Sequence, residues 1–396
     1  MKILVFCQHY LPEPFRLNDL CEEMVRRGHE VTVVTGEPNY PEGIIYKGYE
    51  GHQRAEEVMD GVRVLRCPIV PRKTGAFHRM LNYFSYPVSA KKRARHLLAS
   101  DGQAFDVVFV NQLSPVLMAK PAIAYKKKYG APILLYCLDL WPVSLVAGGV
   151  EQGSLIYRMF HRISGRIYRA ADRILVTSRL FQPYMEKEFG VDARIIDYLP
   201  QYAEEIFEKI PCRPADGTTR LVFAGNVGTA QSVDTILQAA ERLKDRPVRF
   251  EIVGGGTDLE RLQKTASEKR LTNVAFLGRL PLEEMPKVFA RADAMLVTLQ
   301  KNAALNQTLP GKVQSYMAAG KPIIGAIDGE TARIIQEARC GYCGPAEDGE
   351  ALAQNIRRLM AEGNLQILGD NARAFYEANF ERRVFMDRLE EELKKL

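Results

Sequence analysis

The chain has 396 residues, 46% of them hydrophobic and 26% charged, with a formal net charge of +6. That length exceeds what one hydrophobic core usually serves, so two domains are expected, and the composition excludes a disordered or collagen-like chain. No apolar run approaches the ~20 residues that cross a bilayer, and seven cysteines, an odd number, do not make a disulfide framework.

In chain order, MKILVF reads as a first strand, Lys2–Phe6, because its apolar part is too short for a secretory leader. A cytoplasmic location is the expectation. The junction after it, CQHYLPEPFRLND, lacks the G-x-G-x-x-G of a dinucleotide site, which argues against hydride transfer. His9 lies at the carboxyl end of this strand. Leu17, Leu20, Cys21, Met24 and Val25 then recur at helical spacing up to a stop at Gly28. Further strands are expected at Glu30–Thr35, Phe105–Val110, Pro132–Cys137 and Arg173–Thr177, alternating with helices as in parallel α/β structure.

Two segments interrupt that rhythm. Pro71–Leu98 mixes Phe77, Met80, Leu81, Tyr83, Phe84 and Tyr86 with Arg72, Lys73, Arg79, Lys91, Lys92, Arg93 and Arg95, and Tyr157–Arg173 repeats the combination. Basic groups beside aromatics suit an anionic membrane surface or a phosphorylated lipid. They also suit nucleic acid, or a helix pair with a solvated basic face. Between the two segments, LDLWPVS puts Asp139 and the single tryptophan, Trp141, at a strand's carboxyl end. There a carboxylate accepts sugar hydroxyls and an indole stacks on a pyranose face, unless the pair is simply a turn and a core residue.

IPCRPADGTTR reads as a linker, and strands restart at Arg220–Ala224, Arg249–Val253, Asn273–Leu277, Ala294–Leu299 and Pro322–Gly325. The first is followed by AGNVGTAQ, where Gly225 and Gly228 permit a tight turn and Asn226 and Gln231 supply neutral donors. Pro310-Gly311 opens a helix from about Lys312 to Ala319, whose free N–H groups attract an anion. A lysine at that positive end is unfavourable without an anion, so Lys312 reads as a phosphate or diphosphate ligand. Glu330 begins another helix, where it caps the dipole or accepts sugar hydroxyls. Cys340-Gly-Tyr-Cys343 has no second pair or histidine cluster and reads as a turn; no metal is expected. The tail FERRVFMDRLEEELKKL is an amphipathic helix that must dock. Two doubly wound domains bind ligands beyond their strands' carboxyl ends, so a two-substrate enzyme is the natural reading.

The blocks HYLPEPFRLNDLCEEMVRRGHEVTVVTGEPNYPEGIIYKGY, LDLWPVSL, DYLPQYAEE, FAGNVGTAQSVDTILQAA and LPGKVQSYMAAGKPIIG, in that order, resemble the retaining nucleotide-sugar glycosyltransferases of family 4. They look most like the branch of N-acetylfucosaminyl-type transferases in O-antigen and capsule assembly. The resemblance implies a GT-B fold of two Rossmann-like parallel-sheet domains: residues 1–198 for the acceptor, 199–378 for the donor, and a helix, 379–396, returning to the first. It implies a UDP-linked donor, expected to carry an N-acetylated hexose, and the basic-aromatic segments suggest a polyprenyl-diphosphate-linked saccharide acceptor at the inner membrane face; no cofactor and no nucleic-acid partner are expected. Asp139, Lys312 and His9 are the candidate catalytic residues. Arg16, Asn226, Gly228, Gln231, Arg279, Lys312, Ser315 and Glu330 are the candidate donor contacts, and Asn39, Tyr40 and Trp141 the candidate acceptor contacts.

Four features depart from the family pattern. Gln307 and Ser315 stand where many members carry glutamates for the donor sugar and the ribose. Asn226 and Gln231 stand where a basic pair holds the diphosphate, Pro14-Phe15-Arg16 replaces a glycine-rich loop, and Leu138 replaces a histidine. Lys312, Arg279 and Arg16 are left to meet the diphosphate charge. A nucleotide-sugar 2-epimerase and a non-catalytic, membrane-associated partner of another transferase are the alternatives.

Overall fold

The computed structural model describes residues 1–71, 76–147, 149–208, 210–211 and 217–396. Arg72 and Lys73 of the basic-aromatic segment, and 212–216 of the expected linker, lie outside the described residues. The chain divides into two compact units, Met1–Leu199 with Arg388–Leu396, and Pro200–Asp387.

The first unit is built on strands β1 (Lys2–Phe6), β2 (Glu30–Gly36), β3 (Glu56–Met59), β4 (Val62–Cys67), β5 (Val107–Gln112), β6 (Ile133–Cys137), β7 (Arg173–Val176) and β8 (Ile196–Tyr198). They form one sheet in the order β3-β4-β2-β1-β5-β6-β7-β8. All neighbours are parallel except β3 and β4, which pair antiparallel. The β5 and β6 side chains are buried throughout, as a parallel sheet covered by helices on both faces requires. The hairpin β3–β4 was not anticipated. Its two-residue turn is Asp60-Gly61, with φ of 49° and 78°, the backbone a tight hairpin needs.

The second unit holds β9 (Thr219–Ala224), β10 (Val248–Val253), β11 (Val274–Gly278), β12 (Ala294–Thr298), β13 (Ile323–Ala326) and β14 (Gly341–Gly344), all parallel, in the order β11-β10-β9-β12-β13-β14. Alternation along β9 divides the core: Val222 and Ala224 join the cluster on one face, Leu221 and Phe223 that on the other. The strand β14 corrects the reading of Cys340–Cys343 as a turn. Gly341 is required there because a side chain would run into the Ile323 carbonyl of β13. Burial pushes both thiols up to about 12, so they are inert.

The last helix, Arg382–Lys394, starts in the second unit, where Phe385 packs against Tyr202, and ends in the first. In the first unit Glu390 pairs with Arg27, Glu392 with Arg173, and Arg388 donates to the Tyr198 carbonyl. Among the described residues, no helix is long and apolar enough to cross a membrane.

Candidate functional site

In the second unit the strand order reverses between β9 and β12. Loops leaving those two strands run in opposite directions, which opens a crevice at their carboxyl ends. The β9 loop starts at Gly225, with φ of +145°, and the β10 loop at Gly254, with φ of +143°. The two loops touch: a side chain on Gly254 would run into the Gly225 carbonyl. Asn226 approaches Gly256 and Gly228 closely, and Arg279, exposed at the end of β11, passes over Gly255. Thr298 of β12 donates to the Gln231 carbonyl and Tyr316 bonds both backbone atoms of Ala224, which ties the crevice walls together. Asn226 donates its amide to Gln231 at 3.0 Å, so these two expected donors engage each other.

Lys312 enters this crevice from the first turn of the helix Gly311–Ala318. A Cβ on Gly225 would lie 2.6 Å from its Nζ, so glycine is what makes room for the ammonium. The Nζ is buried and, among the described residues, meets no hydrogen-bond partner; it lies over the Phe223 ring, 3.9 Å from the centroid. Burial pulls its pKa down to about 7. A cation shut from water, with no counter-charge, beside the free N–H groups of a helix start is poised for an anion.

Further along that helix, Ser315 donates to Glu204 at 3.3 Å. Glu204 precedes the short turn Glu205–Phe207 and was not singled out, although it lies in the DYLPQYAEE block. It therefore places a carboxylate beside a serine where the family pattern has a glutamate. Glu330 is a correction: it is fully buried, with both oxygens bonded by Arg333 of its own helix, and presents no carboxylate to a sugar hydroxyl.

In the first unit, the residues divide into two groups. Around β1 and β2, the buried Glu13 carboxylate accepts the N–H groups of Asn39, at 2.9 Å, and Tyr40, at 2.7 Å, and engages His9 Nδ1 at 3.1 Å. His9 stacks on Phe15, ring centroids 5.0 Å apart, and Tyr40 closes the cluster. Glu13 was missed because it sits between two prolines in a loop with no periodicity. Arg16 begins the helix that follows, Arg16–Arg26.

Around β6, Asp139 is half-buried beside Ser114; burial raises its pKa and hydrogen bonds from Ser114 partly oppose that. Trp141 is a second correction. It is 1% exposed, donates Nε1–H to Ser114 at 2.9 Å and packs on Phe160 and Tyr83, so no face is free for a pyranose. Among the described residues, no group of His, Cys, Asp and Glu is arranged to hold a metal.

Residues 15–201 match the model of the glycosyl transferase 4-like domain, and 218–362 that of the glycosyl transferases of group 1. The chain is 30% identical over 286 residues to a probable glycosyltransferase, WbjE, of Pseudomonas aeruginosa, covering 69% of this chain and 70% of that one. It is 26% identical over 385 residues to the putative colanic acid biosynthesis glycosyl transferase WcaI of Escherichia coli, covering 91% and 92%. Its fold matches that of HepE from Anabaena, crystallised with UDP and glucose, with a TM-score of 0.71 over the whole of both chains at 14% identity. With a switch-point crevice in its second unit and family matches across both, this chain belongs to the group 1 glycosyl transferases of GT-B fold.

Proposed function

We propose that this protein transfers an N-acetylated hexose from a nucleotide-sugar, with UDP as the nucleotide, to a lipid-linked saccharide in the assembly of a bacterial surface polysaccharide. The observation that carries the donor half is Lys312, a buried, unpartnered ammonium at a helix start in the switch-point crevice. The UDP held by the HepE crystals and the colanic acid role in the name of WcaI support the substrate class and the pathway type.

In this reading the second unit binds the donor and the first the acceptor. Lys312, Arg279 and the N–H groups of Gly311–Ala318 hold the diphosphate, and Glu204, held by Ser315, accepts the ribose hydroxyls. The bond from the anomeric carbon to the diphosphate oxygen breaks as an oxocarbenium-like centre forms. The acceptor oxygen then bonds to the same face, which retains configuration, and its proton passes to the departing phosphate oxygen. Charge building on the diphosphate is stabilised by Lys312 and Arg279 in place of a metal. On the helix Ala76–Ala94, exposed Leu81, Phe84 and Val88 adjoin Lys91 and Lys92, which supports contact with an anionic membrane surface.

The test is a metal-free thermal-shift panel over UDP, GDP and ADP and their sugar conjugates, followed by UDP release with and without a lipid-linked acceptor. A shift with the UDP family and acceptor-dependent release are expected. Donor isomerisation without acceptor would establish the epimerase reading instead, and no shift with any nucleotide would remove the donor site.

A further inference from the structure

A cavity of about 1080 Å³ lies in the first unit, apart from the carboxyl-end residues His9 and Asp139. Its floor is one face of the helix Lys120–Tyr129: Lys120, Ile123, Ala124, Lys127 and Lys128 recur at i, i+3, i+4, i+7 and i+8. That spacing ordinarily makes an apolar face packed against a neighbour. Here three of its five positions are lysines. The opposite side, with Ala122 and Tyr125, is the one buried in the core.

One wall is the end of the helix Ala76–Ala94, which contributes Lys91 and then Arg95 and His96; the other contributes Arg166 from the last turn of Leu155–Tyr168. Among the described residues, no acidic residue lines the cavity. Among the described residues, none of these basic groups has an ion-pair partner, whereas Lys126, on the buried side of the same helix, is paired with Asp172. Lys120 is held below the ordinary lysine range by burial and by the charges of Lys91 and Arg166. Like charges are therefore gathered in a concave site against their mutual repulsion, around a floor that also exposes Ile123, Ala124 and the aliphatic stems of the lysines.

We infer that this cavity is a second anion site, binding a ligand with clustered phosphates, such as a diphosphate, between the helix faces of Lys120–Lys128 and Lys91–Arg95. Lys120 and Lys127 are seven residues apart, about 10 Å along a helix. That spacing exceeds one phosphate and suits a diphosphate or a multiply phosphorylated headgroup. The inference does not rest on sugar transfer, because it uses no residue of the donor crevice.

The experiment titrates inorganic pyrophosphate into the full-length protein carrying Lys312→Met, so that the donor crevice does not contribute. Lys120→Glu/Lys127→Glu in that background is expected to weaken binding at least tenfold, while Lys47→Glu/Lys187→Glu, the same charge change at exposed positions of the same unit, leaves it within threefold. Lys120→Met alone is expected to melt no lower than its parent, since it removes a repelled charge, and still to lose affinity. A structural role for Lys120 would lower both together.

A parallel arm measures co-sedimentation with phosphatidylglycerol vesicles. Loss of both pyrophosphate and vesicle binding in the double variant supports the site and assigns it to a lipid headgroup. Loss of pyrophosphate binding alone supports it and assigns it to a soluble phosphate. Unchanged pyrophosphate affinity in the double variant, or no binding in its parent, overturns it. If the donor reading is wrong instead, Lys312→Met binds pyrophosphate as the wild type does while the cavity variant still loses it.

Discussion

The Lys312 ammonium sits over the Phe223 ring, 3.9 Å from its centroid, and among the described residues finds no hydrogen-bond acceptor. Phe223 is the penultimate residue of β9 and Lys312 belongs to the helix after β12, so the contact spans the point where the strand order reverses. A ring face offsets part of the cost of burying a cation, but not all of it. The remainder is available to an anion.

Replacing Lys312 by methionine is accordingly expected to separate stability from binding. The variant keeps the volume and removes a buried, unpaired charge, so the apo protein melts higher. Turnover falls at least tenfold, corresponding to ~1.4 kcal/mol of barrier, and the thermal shift given by UDP shrinks. Melting curves with and without UDP, together with a UDP-release assay, check both halves. Wild-type rates in the variant would sink the assignment.

The same residue sets a pH dependence. In the native state Lys312 loses its proton near pH 7, whereas an unfolded lysine holds it to about pH 10.4. The unfolded state binds more protons between those values, so apo stability rises with pH across that window. Binding of an anion runs the other way: above pH 7 the lysine must take up a proton, and UDP affinity falls by up to about tenfold per unit. Calorimetry in buffers of different ionisation enthalpy is expected to register proton uptake at pH 8 that is absent from Lys312→Met.

Glu204→Gln tests the carboxylate held by Ser315. A neutral amide accepts ribose hydroxyls less strongly than a carboxylate, so UDP affinity is expected to fall about tenfold. Affinity for 2′,3′-dideoxy-UDP is expected to stay within twofold. Competition binding with the two nucleotides measures this, and an equal loss for both would place Glu204 outside the ribose site.

In the first unit, the Asn39 and Tyr40 N–H groups share one Glu13 oxygen, Oε1; Glu13→Gln keeps an acceptor there but removes its charge, and turns Oε2, which faces His9 Nδ1, into a donor. Hydrogen bonds to an ionised acceptor are roughly twice as strong as those to a neutral one. The expected result is a lower melting temperature, with faster amide exchange at Asn39 and Tyr40 than at β2. Uniform protection in the variant would show that the knot around His9 does not depend on the charge.

Trp141→Phe keeps the aromatic packing on Phe160 but leaves Ser114 without its indole donor. Stability is expected to fall by about 1–3 kcal/mol while turnover per folded molecule stays within about twofold. Denaturant unfolding and acceptor kinetics check this pair of outcomes. A raised acceptor KM with unchanged stability would return the ring to the acceptor site.

The sequence by itself determined the two parallel α/β sheets, because their central strands are continuous apolar runs whose signal does not depend on neighbours. It missed β3, β4, β8 and β14: EEVM, IDY and GYCG are short, polar or glycine-rich, and two arginines interrupt the apolar run of VRVLRC, so pairing to neighbouring strands, rather than propensity, makes them strands. Lys312 stood out because a cation at a helix start conflicts with the local dipole, and such conflicts are visible in sequence. Only the tertiary structure decided the fates of Trp141 and Glu330, since a chain position says that a side chain lies at a strand end but not which neighbours close over it. The same holds for Glu13 and Glu204, loop carboxylates with no periodicity, whose partners at Asn39 and Ser315 lie 26 and 111 residues away. Long-range packing, which no local pattern encodes, set those distances.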